Sequence, residues 1–308
     1  MGNQMLEVKA EIEKAVKGKE QVVEKVLAAM LAGGHVLLED IPGVGKTTLA
    51  MAIAKSMSLS YRRVQFTPDV LPSDIVGFSM YNQTSKTFEY QEGAVLCNLF
   101  LADEINRTSP KTQSALLEVM EEGTVTVDGV TRPLPDPFTV IATENPLGSS
   151  GTQMLPESQL DRFMVCLSMG YPEHEAAVQI LKDNASKPIA HLVSAISIDE
   201  FVALRKQTNE MYVHDSIYEY IVRLVEATRQ SEWFTMGASP RGSIALLRMA
   251  KAMAVLYGRD YVTPEDIRNV FTDVLGHRVK LSTKARAEGK TIEGALLELF
   301  QSVKVPRT

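Results

Sequence analysis

Four short apolar runs punctuate residues 35–170: HVLLED, CNLFLADE, PFTVIATEN and FMVCLSMG. Each is a block of consecutive hydrophobic residues, and such blocks read as strands covered on both faces, as in a parallel sheet lying between helices. Around them the apolar positions recur at helical spacing. Residues 5–32 align Val22, Val26, Leu27 and Met30, and Gly33-Gly34 stops the helix. From Thr48 onward LAMAIAKSM is helical again. Strands alternating with helices in this order predict an α/β sheet domain.

Two stretches break the alternation. FSMYNQTSKTFEYQ alternates polar and apolar around a polar turn, and TVTVDGVTRPL does so around Asp128-Gly129, residues suited to the positive φ angles of a two-residue turn. Both are predicted hairpins. From Tyr171 the strand pattern stops. Pro172 and EHEAAVQIL open a helix, and further helices are expected from Ser197, Asp215, Ser239, Thr263 and about Thr291. Thr263-Pro264-Glu265-Asp266 carries a cap, a proline at the first helical position and two acids near the positive helix end. The chain therefore divides into an α/β core over residues 1–171 and an all-α lid over residues 172–308.

Composition narrows the function classes. The 308 residues carry a formal net charge of −6, mildly against a nucleic-acid binder, which needs cations to meet phosphates. The two cysteines, Cys97 and Cys166, lie far apart, so no disulfide framework or cysteine zinc site is expected. The five histidines are scattered without metal-ligand spacing. The N-terminal segment is charged and lacks the apolar stretch of a signal peptide, Leu6 stands where myristoylation needs Ser or Thr, and no apolar run is long enough to span a bilayer. A cytoplasmic protein is expected.

The chemistry begins at Pro42-Gly43-Val44-Gly45-Lys46-Thr47-Thr48. The segment follows an apolar strand and opens a helix, the context a phosphate-binding loop requires. Its backbone N–H groups can point at phosphate oxygens where the helix N-terminus adds positive potential. Lys46 would reach the β- and γ-phosphates of ATP, and the Thr47 hydroxyl would coordinate Mg²⁺. Asp40 stands where the usual pattern has its first glycine, which predicts altered entry geometry with binding retained. The strand LFLADE then delivers two carboxylates at its C-terminal end, where open α/β sheets bind ligands. Asp103 would hold the Mg²⁺ shell, and Glu104 would orient and deprotonate the attacking water.

Residues 103–122, DEINRTSPKTQSALLEVMEE, resemble the signature stretch of MoxR ATPases within the AAA+ superfamily. QFTPDVLPSDIVG before it matches too, as do VIATENP, LPESQLDRF, GASPRGSIALLRMAKA and LGHRV after it, so the resemblance covers nearly the whole chain in order. It implies an AAA+ core with a helical lid, a homo-oligomeric ring (a hexamer) and ATP hydrolysis at subunit interfaces. It places Asn145 at the sensor-1 position, where a polar side chain would hold the attacking water or the γ-phosphate, Arg162 at the arginine finger that reaches a neighbour's nucleotide, and Arg241 at sensor 2. It makes Gln65 a polar partner of Glu104, and Val16 and Gly18 part of the adenine pocket; ordinary packing accounts nearly as well for those last two. Arg241 also stands out on physical grounds: with Ser239 as cap and Pro240 first, it lies in the first helical turn, where a cation opposes the helix dipole and a bound phosphate would relieve it. Whether it serves its own or a neighbouring nucleotide stays open at this point. The hairpins match the helix-2 insert and the hairpin before sensor 1, which mark the branch shared by MoxR proteins, magnesium chelatase motor subunits and MCM helicases.

The family implies chaperone-like remodelling of a protein client, often with a partner carrying a von Willebrand factor A domain. A chelatase-like motor for metal insertion would look nearly the same. A nucleic-acid translocating ring predicts cations at both hairpin tips, where only Lys86 and, set back, Arg132 occur. A non-hydrolysing switch predicts a missing catalytic acid, finger or sensor, and candidates for all three are present.

Overall fold

The computed structural model describes residues 2–145, 154–183 and 188–306. Its strands are β1 (Val36–Glu39), β2 (Tyr61–Gln65), β3 (Gly77–Asn82), β4 (Thr87–Glu92), β5 (Leu99–Asp103), β6 (Thr124–Val127), β7 (Val130–Pro133), β8 (Thr139–Glu144), β9 (Val165–Leu167), β10 (Phe234–Met236) and β11 (Lys280–Leu281). The α-helices are α1 (Gly2–Glu13), α2 (Glu20–Leu31), α3 (Lys46–Ser56), α4 (Pro72–Val76), α5 (Pro110–Glu122), α6 (Glu157–Leu160), α7 (His174–Asp183), α8 (Ile198–Glu210), α9 (Asp215–Gln230), α10 (Pro240–Leu256), α11 (Pro264–Leu275), α12 (Thr283–Ala287) and α13 (Ile292–Ser302).

Five strands form a parallel sheet in the order β2-β5-β8-β1-β9. The apolar runs alternate between its faces. Leu99 and Leu101 of β5 enter the cluster that also holds Val36 and Leu38 of β1, whereas Phe100 and Ala102 join Leu37 in a second cluster on the other face. Both faces are covered, which is why the period-two alternation is invisible as polarity. The C-terminal ends of β1, β5 and β8 then present Glu39, Asp103 and Glu144 on one edge, the side where parallel sheets place ligands.

The predicted hairpins form as β3–β4 and β6–β7, the second turning through Asp128 (φ 52°) and Gly129 (φ 74°). They meet at a cation–π contact, with the Arg132 guanidinium 4.0 Å from the Tyr90 ring centroid. The predicted N-terminal helix is two: α1 and α2 break at a turn through Gly18 in the left-handed region (φ 65°). The C-terminal helices start where the caps place them. Thr263 and Asp266 close a capping box, and Thr291 accepts from Gly294 N. Ser239 occupies the N-cap position of α10, yet its hydroxyl turns to Asp161 (3.0 Å). The lid region is not wholly helical, because β10 and β11 pair antiparallel. Strands of three and two residues are too short to show a period.

Candidate nucleotide site

The loop between β1 and α3 is shaped by two left-handed glycines, Gly43 (φ 86°) and Gly45 (φ 100°). A Cβ built at Gly43 would meet nothing within 4 Å, so the backbone faces open space that a ligand can enter. Gly45 caps α3 without a side-chain hydrogen bond, leaving the first N–H groups of the helix for an anion. Pro42 and Gly43 are exposed, Thr47 and Thr48 half-buried, and Val44 packs on the main core. Lys46 is buried, and its Nζ donates to the Asp40 carbonyl (2.8 Å), which keeps the side chain folded along the loop. Burial lowers the Lys46 pKa, and the charges of Asp40, Asp103 and Glu104 work against that fall, so lysine and both acids share one electrostatic environment.

Asp40 ties the loop to the rest of the core. Its buried carboxylate accepts from Met169 N, Gly170 N (3.1 Å) and the Ser168 hydroxyl (3.2 Å), clamping the loop to the segment after β9. The Lys19 ammonium bonds the Met169 and Tyr171 carbonyls of the same segment. The turn holding Val16 and Gly18 and the phosphate loop are thereby tied to one segment, residues 169–171. Val16 itself is buried in the main core, and a Cβ at Gly18 would come within 2.7 Å of Ala176.

Asp103 and Glu104 are wired together by Thr143 of β8. Its hydroxyl donates to Asp103 Oδ1 (2.6 Å) and accepts from Glu104 N (2.8 Å). Asp103 Oδ2 accepts from Arg63 (2.8 Å), whose Nη2 also donates to Gln65 Oε1 (2.8 Å). Gln65 Nε2 in turn donates to Glu104 Oε2 (2.8 Å), as does Arg107 Nη1 (2.7 Å). Glu104 sits at φ 56°, ψ 50°, a left-handed conformation that L side chains rarely adopt. This displaces the residue from the strand line and leaves its carboxylate half-buried at the sheet edge. Thr143 and Arg63 carry no motif of their own; only strand pairing reveals them.

Asn145 follows β8 directly, and its carbonyl accepts from Asn106 Nδ2 (3.3 Å). Beside it Glu144 is buried, and among the described residues its oxygens have no hydrogen-bond partner of good geometry, with the Leu155 backbone nearby. Burial, then the charge of its register partner Glu39, pushes the Glu144 carboxyl up to about 7. The sign follows. The folded state holds this proton more tightly than the unfolded chain, so stability is lost as pH rises from about 4.5 through 7. Glu144→Gln is expected to raise unfolding free energy by about 2 kcal/mol at pH 8 and by under about 0.5 kcal/mol at pH 4.5. Urea denaturation at the two pH values checks this, and an equal change at both would contradict it.

Arg162 and Arg241 lie elsewhere. They meet at Glu121 near the end of α5, with Arg241 Nη2 2.6 Å from Oε1 and Arg162 Nη1 3.1 Å from Oε2. Both line a cavity of about 360 Å³ with His35, which precedes β1. The phosphate loop follows the other end of that strand. From His35 to Asp40 is five residues, or about 16 Å at the parallel-strand rise. Asp161, next to Arg162, anchors the lid through Arg278 (2.7 Å) and the Ser239 hydroxyl. Arg241 was expected near a phosphate; within this chain it is met by Glu121, a residue of the 103–122 stretch to which the sequence assigned no role.

This sheet order, with a glycine loop after β1, paired acids after β5 and a helical C-terminal region, defines a P-loop ATPase of the AAA+ class. Residues 35–165 match the profile of the ATPase family associated with various cellular activities (AAA), and residues 226–298 that of the AAA lid domain. The chain is 50% identical over 296 residues to the uncharacterized protein YeaC of Bacillus subtilis (strain 168), covering 96% of this chain and 92% of that protein. It is 39% identical to chaperone MoxR1 of Mycobacterium tuberculosis, over 96% of this chain and 81% of the relative. A crystal structure of an inferred ATPase from Cytophaga hutchinsonii superposes with a TM-score of 0.92 at 38% identity, covering 99% of this chain and 96% of that one. The chain belongs to the MoxR family of AAA+ ATPases.

Proposed function

We propose that this chain hydrolyses ATP at the interfaces of a homo-oligomeric ring, a hexamer in our reading, and uses the cycle to remodel a protein client. The observation that carries the reading is the separation of the two halves of the site. Lys46, Asp103 and Glu104 gather at one end of β1, while Arg162 and Arg241 gather at the other. An arginine at one end of the strand cannot reach a nucleotide held at the other end of the same chain. A second copy, placed head to tail, supplies the missing half, and both arginines then act in trans.

On this reading residues 1–171 bind the nucleotide and residues 172–308 form the lid. The loop from Pro42 to Thr48 cradles the phosphates, and the turn at Val16 and Gly18 borders the base. Thr47 and Asp103 offer hard oxygen donors that suit Mg²⁺, which when bound neutralises phosphate charge. Glu104 takes the proton of the attacking water, and Asn145 holds that water in place. Gln65 and Arg107 restrain Glu104 until nucleotide and neighbour are present.

The hairpins supply the working surface. Phe78, Met80, Tyr81 and Phe88 of the first are exposed, and Tyr81 and Phe88 pack edge to face at its outer end. Apolar and aromatic side chains suit a polypeptide client. Arg132, the cation a phosphate backbone would need, is stacked on Tyr90. This favours a protein client over nucleic acid. A von Willebrand factor A domain protein is the partner class the family resemblance suggests. Among the described residues no helix is long and apolar enough to cross a membrane. Free thiols at Cys97 and Cys166 fit a reducing cytoplasm.

The test is steady-state ATP turnover per subunit against protein concentration. Turnover that climbs with concentration to a plateau is expected. Turnover independent of concentration, in protein shown to be monomeric throughout, would sink the interface reading.

A further inference from the structure

Glu121 and Arg241 each stand at the wrong end of their helices. Glu121 lies in the last turn of α5, where a carboxylate faces the negative end of the helix dipole. Arg241 lies in the first turn of α10, where a cation faces the positive end. Their ion pair offsets both penalties, and the second carboxylate oxygen of Glu121 takes Arg162. Arg162 Nη1 also donates to the Leu117 carbonyl (2.7 Å), but its Nε is buried without a hydrogen-bond partner among the described residues.

The charge around this pair is unbalanced. Arg278 is buried and matched by Asp161. Arg248, two turns beyond Arg241 on α10, lines the same cavity and has no ion pair among the described residues. With Arg278 and Asp161 set against each other, three guanidinium groups line the cavity against the single carboxylate of Glu121, which pairs with two of them. Two of them converge on it from different elements, the arrangement that the oxygens of a terminal phosphate would also meet.

We propose that Glu121 is a positioning residue that acts as a surrogate phosphate: it keeps Arg162 and Arg241 paired in the free protomer and yields them to the nucleotide of a second copy. This rests on the reading that both arginines act in trans. Assembly around ATP then exchanges one anion for another, and the strength of the Glu121 contacts sets how much protein is needed to form the ring. A neutral residue at 121 releases the arginines before assembly, whereas a shorter carboxylate still holds them.

The experiment is sedimentation velocity with saturating ATP and Mg²⁺, in a Glu104→Gln background so that nucleotide persists. Adding Glu121→Gln is expected to lower the subunit concentration for half-assembly about tenfold, the scale of two partly exposed ion pairs. Adding Glu121→Asp instead should return it toward the parent value. A residue needed only as a hydrogen-bond acceptor would be replaced by Gln with no such shift, and thermal melting checks that both variants fold. If ATP-dependent oligomers form but Glu121→Gln leaves their half-assembly concentration unchanged or raises it, the surrogate role is overturned and the trans reading stands. If no variant forms an ATP-dependent oligomer, the trans reading fails and the surrogate role with it.

Discussion

Mixing Arg162→Ala protein with Glu104→Gln protein is expected to restore ATP hydrolysis that neither variant shows alone. Arg162→Ala removes the cation offered to a neighbour, and an arginine in that role contributes about 10³–10⁵ in rate. Glu104→Gln removes the base but leaves its own Arg162 intact. In a mixed ring, about a quarter of random interfaces would pair an intact Glu104 with an intact Arg162 from the next subunit, given head-to-tail contacts. The recovered rate should approach that fraction of wild type at equal mixing. Colorimetric phosphate release across mixing ratios reads it directly. A rate that stays at the sum of the two inactive proteins, in samples shown to exchange subunits, would mean that Arg162 does not act across the interface.

Glu104→Gln by itself should lower kcat by about 10²–10⁴, the usual contribution of a positioned general base. Binding of ATP should persist, because the phosphate loop and Lys46 are untouched. The structure sharpens the expectation: Glu104 is fixed by its backbone N–H on Thr143 and by Gln65 and Arg107 on its carboxylate, so the amide can occupy the same volume. The loss would therefore report the missing base and not a collapsed loop. Fluorescent-nucleotide titration beside the rate measurement separates the two. A parallel loss of affinity and rate would assign Glu104 to binding instead.

What the sequence made legible follows from how local each feature is. The phosphate loop, Asp103 and Glu104 are short segments set by one strand end and one turn, so spacing alone nominates them. The Asp128-Gly129 hairpin and the capped helix at Thr263 were legible for the same reason. The clamp from Asp40 to Met169 and Gly170 joins positions 130 residues apart or nearly so, and nothing local announces it. Thr143, whose hydroxyl links the two acids, looks like any strand threonine until β5 and β8 are in register. The meeting of Arg162 and Arg241 on Glu121 needs the core and the lid folded together. Family resemblance could assign each arginine a role, but the counter-ion and the direction in which the pair faces came from packing alone.

Helix α5 has a consequence for timing around such a ring. Its first turns are tied to the loop after Glu104, where Gln113 Nε2 donates to the Ile105 carbonyl (3.1 Å), and its last turn carries Glu121. Its 13 residues make a rod about 20 Å long at the α-helical rise. Its buried residues lock it into the core, and His35 bridges its far end to β8 through the Met120 carbonyl and Val140 N. A rod held this way moves as one body. On the proposed ring reading, a displacement at the end beside the chain's own Glu104 would reappear at the end that holds the arginines offered to the neighbour, and successive sites would need no separate messenger to fire in sequence.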